Sequence, residues 1–243
     1  MEQVSDENHN RIKSVLSARN LGFCFSGAAE HLFEDINLQV HEGEVVAIVG
    51  LSGCGKTTLC HCLSGIIPHL MNGEMKGEVL IDGTPSTELT PPQIATRLGV
   101  VFQNPDTQLF FPTVEDELAF GPENLCFPPQ RIKHTIDRVL EKVGLEGFHQ
   151  RNPHELSGGQ KQLVALAAVL SLDPDILILD EVTSQLDRQG KERVLRLIGA
   201  LRDEGRAVVM VEHNPDNLKI ADRVKLLSEG SLVDFSGDWS LVI

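Results

Sequence analysis

The segment Gly50-Leu51-Ser52-Gly53-Cys54-Gly55-Lys56-Thr57 confines this chain to few folds, because it has the spacing G-x-x-x-x-G-K-[ST] directly after the apolar run Val45–Val49. Its glycines let the backbone bend tightly, so that successive N–H groups converge on one anion. Residues Lys56 to Leu63 then read as a helix, whose N-terminus adds partial positive charge at the same point. In such a cradle Lys56 reaches the β- and γ-phosphates of a nucleotide, Thr57 offers its hydroxyl to Mg2+, and Thr58 adds a phosphate contact. A glycine-rich turn on a basic helix is the plainer reading, and the flanking strand and helix weigh against it.

A second apolar run, Ile176 to Leu179, ends in Asp180-Glu181. Ligands of open α/β sheets lie at the carboxyl ends of strands. Asp180 is therefore placed to hold the metal, directly or through water. Glu181 is placed to polarise a water for attack on the γ-phosphorus. Carboxylates after a strand also serve simply as helix caps. The turn Leu156-Ser157-Gly158-Gly159-Gln160 precedes a long apolar helix reaching Leu172. Ser157 suits the N-cap and two glycines clear room for an approaching group, which makes another anion-ready helix start. An ordinary capped turn would look the same.

Strands are expected at Val15–Phe25, Leu32–Val40, Val45–Val49, Glu78–Ile81, Leu98–Phe102, Ile176–Leu179 and Ala207–Glu212, and a helix at Arg188–Glu204. The alternation of strand and helix predicts a mostly parallel sheet covered on both faces. Between Asn104 and Glu155 prolines stand at 105, 112, 122, 128, 129 and 153, around helical patterns near Val114–Phe120 and Gln130–Val143. This reads as a helical lobe, about 104–156, inserted into one domain spanning 14–243. Residues 1–13 read as a polar, flexible arm.

Charge narrows the partners. With 35 acidic against 21 basic residues the net charge is −14, which argues against nucleic acid and anionic lipid as non-specific partners. The longest apolar run, Leu163–Leu170, is far short of the ~20 residues of a membrane span. The polar start Met1–Asn10 does not resemble a secretory signal, so a cytoplasmic protein is expected. Five cysteines at irregular spacing do not suggest a disulfide framework. Cys60-His61-Cys62 falls on the helix after the loop, where adjacent side chains diverge, so core packing is expected there rather than zinc.

Together, Gly50–Thr58, Gln103, Leu156–Gln160, Leu179–Glu181, Ser184–Asp187 and His213 resemble the motif set of ATP-binding-cassette ATPases, in order and spacing, over about residues 15–235. The resemblance implies an α/β phosphate-loop fold with a mostly parallel sheet, an antiparallel β-subdomain and an inserted helical lobe. It implies ATP and Mg2+ as cofactors, and a head-to-tail pair of ATPase subunits, of the same or a related chain. Ser157, Gly158, Gly159 and Gln160 would then serve the ATP held by Gly50, Ser52, Gly53, Cys54, Gly55, Lys56, Thr57 and Thr58 of the other subunit. Phe25 resembles the aromatic that stacks on adenine, with Phe23 as its competitor and core packing as the alternative for either. Gln103 would touch Mg2+ and the attacking water, His213 the γ-phosphate, and Asp187 would organise contacts between the two sites. Val182 stands where the family usually has Pro, and Asn214 where Asp is common; neither removes a reacting group.

The stretches Val101–Phe110 and Thr113–Leu125 are similar to the ATPases of energy-coupling-factor transporters, which import vitamins and transition-metal ions. That similarity implies a transmembrane coupling subunit, a separate substrate-binding membrane protein, and a position on the cytoplasmic face of the membrane. Leu109, Phe110, Phe111 and Phe120 would line the groove for the coupling subunit or else pack the lobe itself. Those ATPases often have a further C-terminal segment, whereas this sequence stops soon after Gly230–Val233. A conventional transporter ATPase and a soluble cassette of the iron–sulfur assembly type are the competing readings.

Overall fold

The computed structural model describes residues 13–239. In chain order it has β1 (Ser14–Cys24), β2 (Phe33–His41), β3 (Val45–Val49), α1 (Lys56–Leu63), α2 (Ile66–His69), β4 (Glu74–Ile81), β5 (Thr84–Pro85), α3 (Pro91–Ala95), β6 (Leu98–Val101), α4 (Val114–Asn124) and α5 (Pro129–Val143). There follow α6 (Gly158–Leu170), β7 (Ile176–Asp180), α7 (Arg188–Asp203), β8 (Ala207–Val211), β9 (Arg223–Ser228) and β10 (Ser231–Asp234).

The described strands form two sheets. One is antiparallel, in the order β2-β1-β4-β5; the other is β10-β9-β3-β8-β7-β6. In the larger sheet β9, β3, β8, β7 and β6 are parallel, and β10 pairs antiparallel at its edge. Successive strand residues point to opposite faces, and here both faces are covered, which is why these strands are continuous apolar runs. Val45, Ala47 and Val49 of β3 belong to a core shared with α4, α5, α6 and α7. Val46 and Ile48 belong to a second core shared with the antiparallel sheet and α1. β7 divides in the same way, with Leu177 and Leu179 on the first side and Ile176 and Ile178 on the second. The strand that carries the loop is thus clamped from both faces.

Several boundaries differ from expectation. β4 begins at Glu74 because its polar first half pairs with Gly22–Cys24 of β1 along an edge. α4 runs past Pro122 to Asn124, and α6 stops at Leu170. The hairpin β9–β10 and the short α3 were not expected. Residues 1–12 of the expected arm lie outside the described residues. Lys13 is held by ion pairs to Glu42 at 3.2 Å and Asp82 at 3.3 Å. α4 and α5, the helices of the 104–156 interval, pack on each other and on α6. Among the described residues no helix is long and apolar enough to cross a membrane.

Candidate active site

At the carboxyl ends of β3, β6, β7 and β8 lies a cavity of about 360 Å3, lined by Phe25, Leu32, Ser52, Gly53, Gly55, Lys56, Thr57, Thr58, Gln103, Glu181 and His213. Its floor is the glycine loop. Gly50 has φ 156°, and a Cβ there would lie 2.4 Å from the Leu227 carbonyl oxygen and 2.9 Å from Cys54 Sγ, so glycine is required. Gly53 has φ 79° and open space where a side chain would be, which leaves that stretch of loop backbone clear for a ligand. Gly55, also left-handed, is the N-cap of α1 and has no side chain to cover the helix start.

Lys56 is almost wholly buried, and burying an ammonium requires partners. Its Nζ donates to the carbonyls of Gly50 at 2.8 Å and Leu51 at 2.7 Å, and reaches Cys54 Sγ at 3.9 Å. The cation therefore sits inside the loop. Beneath it, Asp180 ends β7 at 2 % exposure, and burial raises its carboxyl above the usual range, against a hydrogen bond from the Thr57 hydroxyl. Oδ1 of Asp180 is buried with no hydrogen-bond partner. An orphaned carboxylate oxygen beside a hydroxyl, with the Gln103 amide nearby on the cavity wall, is an all-oxygen donor set of the kind hard divalent cations take. Asp180, Thr57 and Gln103 thus fit Mg2+.

Glu181 adopts φ 49° at the turn out of β7, which aims its carboxylate across the cavity. Gln103 Nε2, from the end of β6, donates to Oε2 at 2.7 Å, and His213 Nε2, from the end of β8, lies 2.8 Å from Oε1. Residues 78 and 32 positions away in sequence are brought onto one carboxylate. Phe25 stands at the rim, half exposed, edge-on to Phe23 with ring centroids 5.0 Å apart. Phe23 is fully buried, so of the two only Phe25 can meet a ligand.

Other expected residues lie elsewhere in the chain. Ser157 caps α6 in a reciprocal box with Gln160, and Gly158 and Gly159 pack beside Gln185 and Leu186, away from the cavity. Asp187 caps α7 by accepting from the Gly190 N–H at 2.7 Å. Cys60 and Cys62 are core residues; burial pushes the Cys62 thiol up to about 12 and the Cys60 thiol in the same direction. Among the described residues no group of histidines, cysteines and carboxylates is spaced to hold a metal on its own. Glu212 is a residue that sequence reasoning passed over as the end of a strand. It is buried and bonded to both sides of the site, and a carboxylate closing an apolar strand was the only sequence hint.

A glycine loop holding a lysine at a helix start, faced by a carboxylate pair at the end of β7, one strand beyond the neighbour of β3, defines a phosphate-loop nucleotide hydrolase. Residues 33–184 match the family model described as ABC transporter, and the chain belongs to that family, as a cassette of its ATP-hydrolysing class. A Methanosarcina mazei protein named as an ABC transporter ATP-binding protein is 39% identical over 93% of this chain, which spans 39% of that relative's length. The Methanosarcina acetivorans energy-coupling factor transporter ATP-binding protein EcfA is 42% identical over 82% of this chain and 71% of its own. Among solved structures, cbiO1 of Clostridium perfringens, part of the ABC transporter complex cbiONQ, superposes with TM-score 0.77 at 31% identity, covering 91% of this chain and 87% of its own. A dimeric bacterial ABC transporter cassette gives TM-score 0.78 at 26% identity, covering 89% and 96%.

Proposed function

We propose that this chain is the ATP-hydrolysing subunit of an energy-coupling-factor type transporter that takes up a vitamin or a transition-metal ion. The observation that carries the assignment is an apolar groove of about 630 Å3 between α3, α4 and the end of α6, to which the segment after Gln103 contributes Gln108 and Phe110. Phe110 and Phe120 line it and are 61% and 45% exposed. Their rings meet each other at 5.7 Å and Phe111 at 4.8 Å and 5.1 Å, so the aromatic cluster is preformed. Glu117 fixes its backbone by accepting from the N–H groups of Phe110 and Phe111 at 2.9 Å each. Leu109 is a core residue instead. Exposed aromatic surface of this kind marks a docking site, and the likeness to EcfA and cbiO1 supports a transmembrane coupling subunit as its occupant. A separate membrane protein would bind the transported substrate.

In this reading the loop N–H groups and Lys56 hold the β- and γ-phosphates of ATP, and Phe25 stacks on adenine. Thr57, Asp180 and Gln103 hold Mg2+, which when bound neutralises charge on the phosphate oxygens. Glu181 accepts the proton of the attacking water, steadied by Gln103 on one oxygen and His213 on the other. A second cassette brings Ser157, Gly158, Gly159 and Gln160, an uncovered helix start, to the γ-phosphate, with Asp187 beside the seam. That the same chain keeps these residues away from its own cavity supports the paired arrangement.

The assignment is tested by purifying the full chain from membranes and identifying its companions by mass spectrometry. Transmembrane subunits are expected; a soluble scaffold alone would overturn it. Replacing Phe110 and Phe120 together by Asp should release the chain into the soluble fraction while leaving ATP binding intact. Buried aromatic anchors are worth about 2 kcal/mol or more each, roughly thirtyfold in affinity.

Cys54 gives a second check on the loop. Its sulfur touches the space that Gly50 keeps clear and lies within reach of Lys56. A maleimide there should expel the lysine from the loop and abolish ATP binding, and bound ATP should protect the thiol. Mass-verified, fully alkylated protein with unchanged ATP affinity would refute this.

A further inference from the structure

We infer that Glu212 is a positioning residue that locks His213 and the turn after Glu181 into one unit, an inference that rests on Glu181 and His213 acting as proposed above. Glu212 directly follows β8 and is 5% exposed. Its Oε1 accepts from the backbone N–H groups of His213 at 2.8 Å and Asn214 at 2.9 Å. Its Oε2 accepts from the Thr183 hydroxyl at 2.6 Å and from Asn217 Nδ2 at 2.8 Å. A carboxylate offers about four acceptor positions and no donor. All four are met, by donors from two segments, the turn after β7 and the stretch 213–217 after β8.

The consequence is mechanical. Thr183 is two residues past Glu181, and both belong to the turn that leaves β7. His213 is the next residue after Glu212, and its ring reaches back to Glu181 at 2.8 Å. One closed circuit therefore runs from Glu181 through Thr183, Glu212 and His213 back to Glu181. Glu212 sets the height of the His213 backbone over the sheet and, at its other oxygen, the turn on which Glu181 is mounted. A buried network is rigid when every member is satisfied and is disrupted when one is not.

Glutamine at this position is not a quiet replacement. Its amide NH2 must face either the two backbone N–H groups, donor against donor, or the Thr183–Asn217 side, where it opposes Asn217 Nδ2 and forces the Thr183 hydroxyl to turn from donor to acceptor. Glu212→Gln should lower kcat for ATP hydrolysis about ten- to a hundredfold, as expected when a reacting group is misplaced by a fraction of an ångström to an ångström. The KM for ATP should change less than about twofold, because the loop and Lys56 are untouched.

The test uses the full chain, wild type, Glu212→Gln, His213→Ala and the double variant, with Glu181→Gln alongside. If Glu212 couples His213 to the Glu181 turn, its replacement lowers kcat by a larger factor in the wild type than in His213→Ala, where only the turn is left to disturb. An equal loss in both backgrounds overturns the inference. The His213 ring resonances, followed by NMR and needing no turnover, should shift in Glu212→Gln while those of His61 stay fixed; unchanged His213 resonances also overturn it. Should Glu212→Gln fail to fold, Thr183→Val removes one of the four bonds within a similar volume and Thr183→Ser keeps it. The valine should shift His213 and the serine should not; identical His213 spectra in the two refute the circuit. Wild-type turnover in Glu181→Gln would instead sink the assigned role of Glu181, and the NMR outcome would still decide whether Glu212 positions His213.

Discussion

Glu181→Gln should reduce ATP turnover by about 10²–10⁴-fold, the usual contribution of a general base, while ATP still binds and paired cassettes accumulate. The geometry explains why the loss should be so specific. Glu181 accepts from Gln103 at 2.7 Å and faces His213 at 2.8 Å, so its carboxylate is fixed before any substrate arrives. In the glutamine variant the amide oxygen can still accept from Gln103. Its NH2 can donate to His213, because an imidazole nitrogen accepts in one of its two neutral tautomers. The local structure therefore survives and only the proton acceptor is lost. Phosphate release measured beside light scattering in ATP separates the two effects. Turnover near the wild-type rate would dismiss Glu181 as the base. Loss of turnover together with loss of nucleotide binding would point to a collapsed site.

The fold was legible wherever burial is two-sided. Val45–Val49 appears in the structure as expected because a strand covered on both faces leaves no polar residues to blur its ends. One-sided elements were harder. The first half of β4, Glu74 to Gly77, is polar because it lies at an exposed margin of the antiparallel sheet. α3 hides behind two prolines, although Thr90 and Gln93 form a capping box and Pro91 occupies the first turn, where proline is tolerated. The β9–β10 hairpin turns at Glu229 and Gly230, both with positive φ, a dipeptide less telling than Asn-Gly.

The site divides similarly. Its loop is contiguous in sequence and so was readable whole. Glu181 was readable at the end of its apolar run, but Gln103 and His213 joined it only through resemblance, since no local pattern links the ends of three strands. Glu212 carried no such signal, because two of its donors, Thr183 and Asn217, are apparent only once the chain is folded. The placement of Phe25 against Phe23 also needed burial to separate them, as both are aromatic and lie two residues apart.

Lys56→Met should weaken ATP binding about ten- to a hundredfold and, at saturating ATP, lower turnover further. A hydrogen bond to a charged group is worth about 1.5–3 kcal/mol, and each 1.4 kcal/mol is tenfold in affinity. The lysine is an unusual residue energetically, a cation at 5% exposure whose oxygen partners among the described residues are two carbonyls of its own loop. Two neutral carbonyls only partly replace water around an ammonium, so phosphate oxygens carrying full charge are the better partner. On the proposed function, the loop holds its cation in readiness for the nucleotide's phosphates. Methionine matches the length of the side chain without the charge, fills the same buried space, and should leave thermal stability close to wild type or above it. Arginine should fail as well, since its planar fork does not fit a space bounded by the Gly50 and Leu51 carbonyls and Cys54. Calorimetric titration with a non-hydrolysable ATP analogue, with a melting curve for each variant, checks both statements. Unchanged affinity in a well-folded Lys56→Met protein would mean that the backbone N–H groups of the loop alone bind the phosphates.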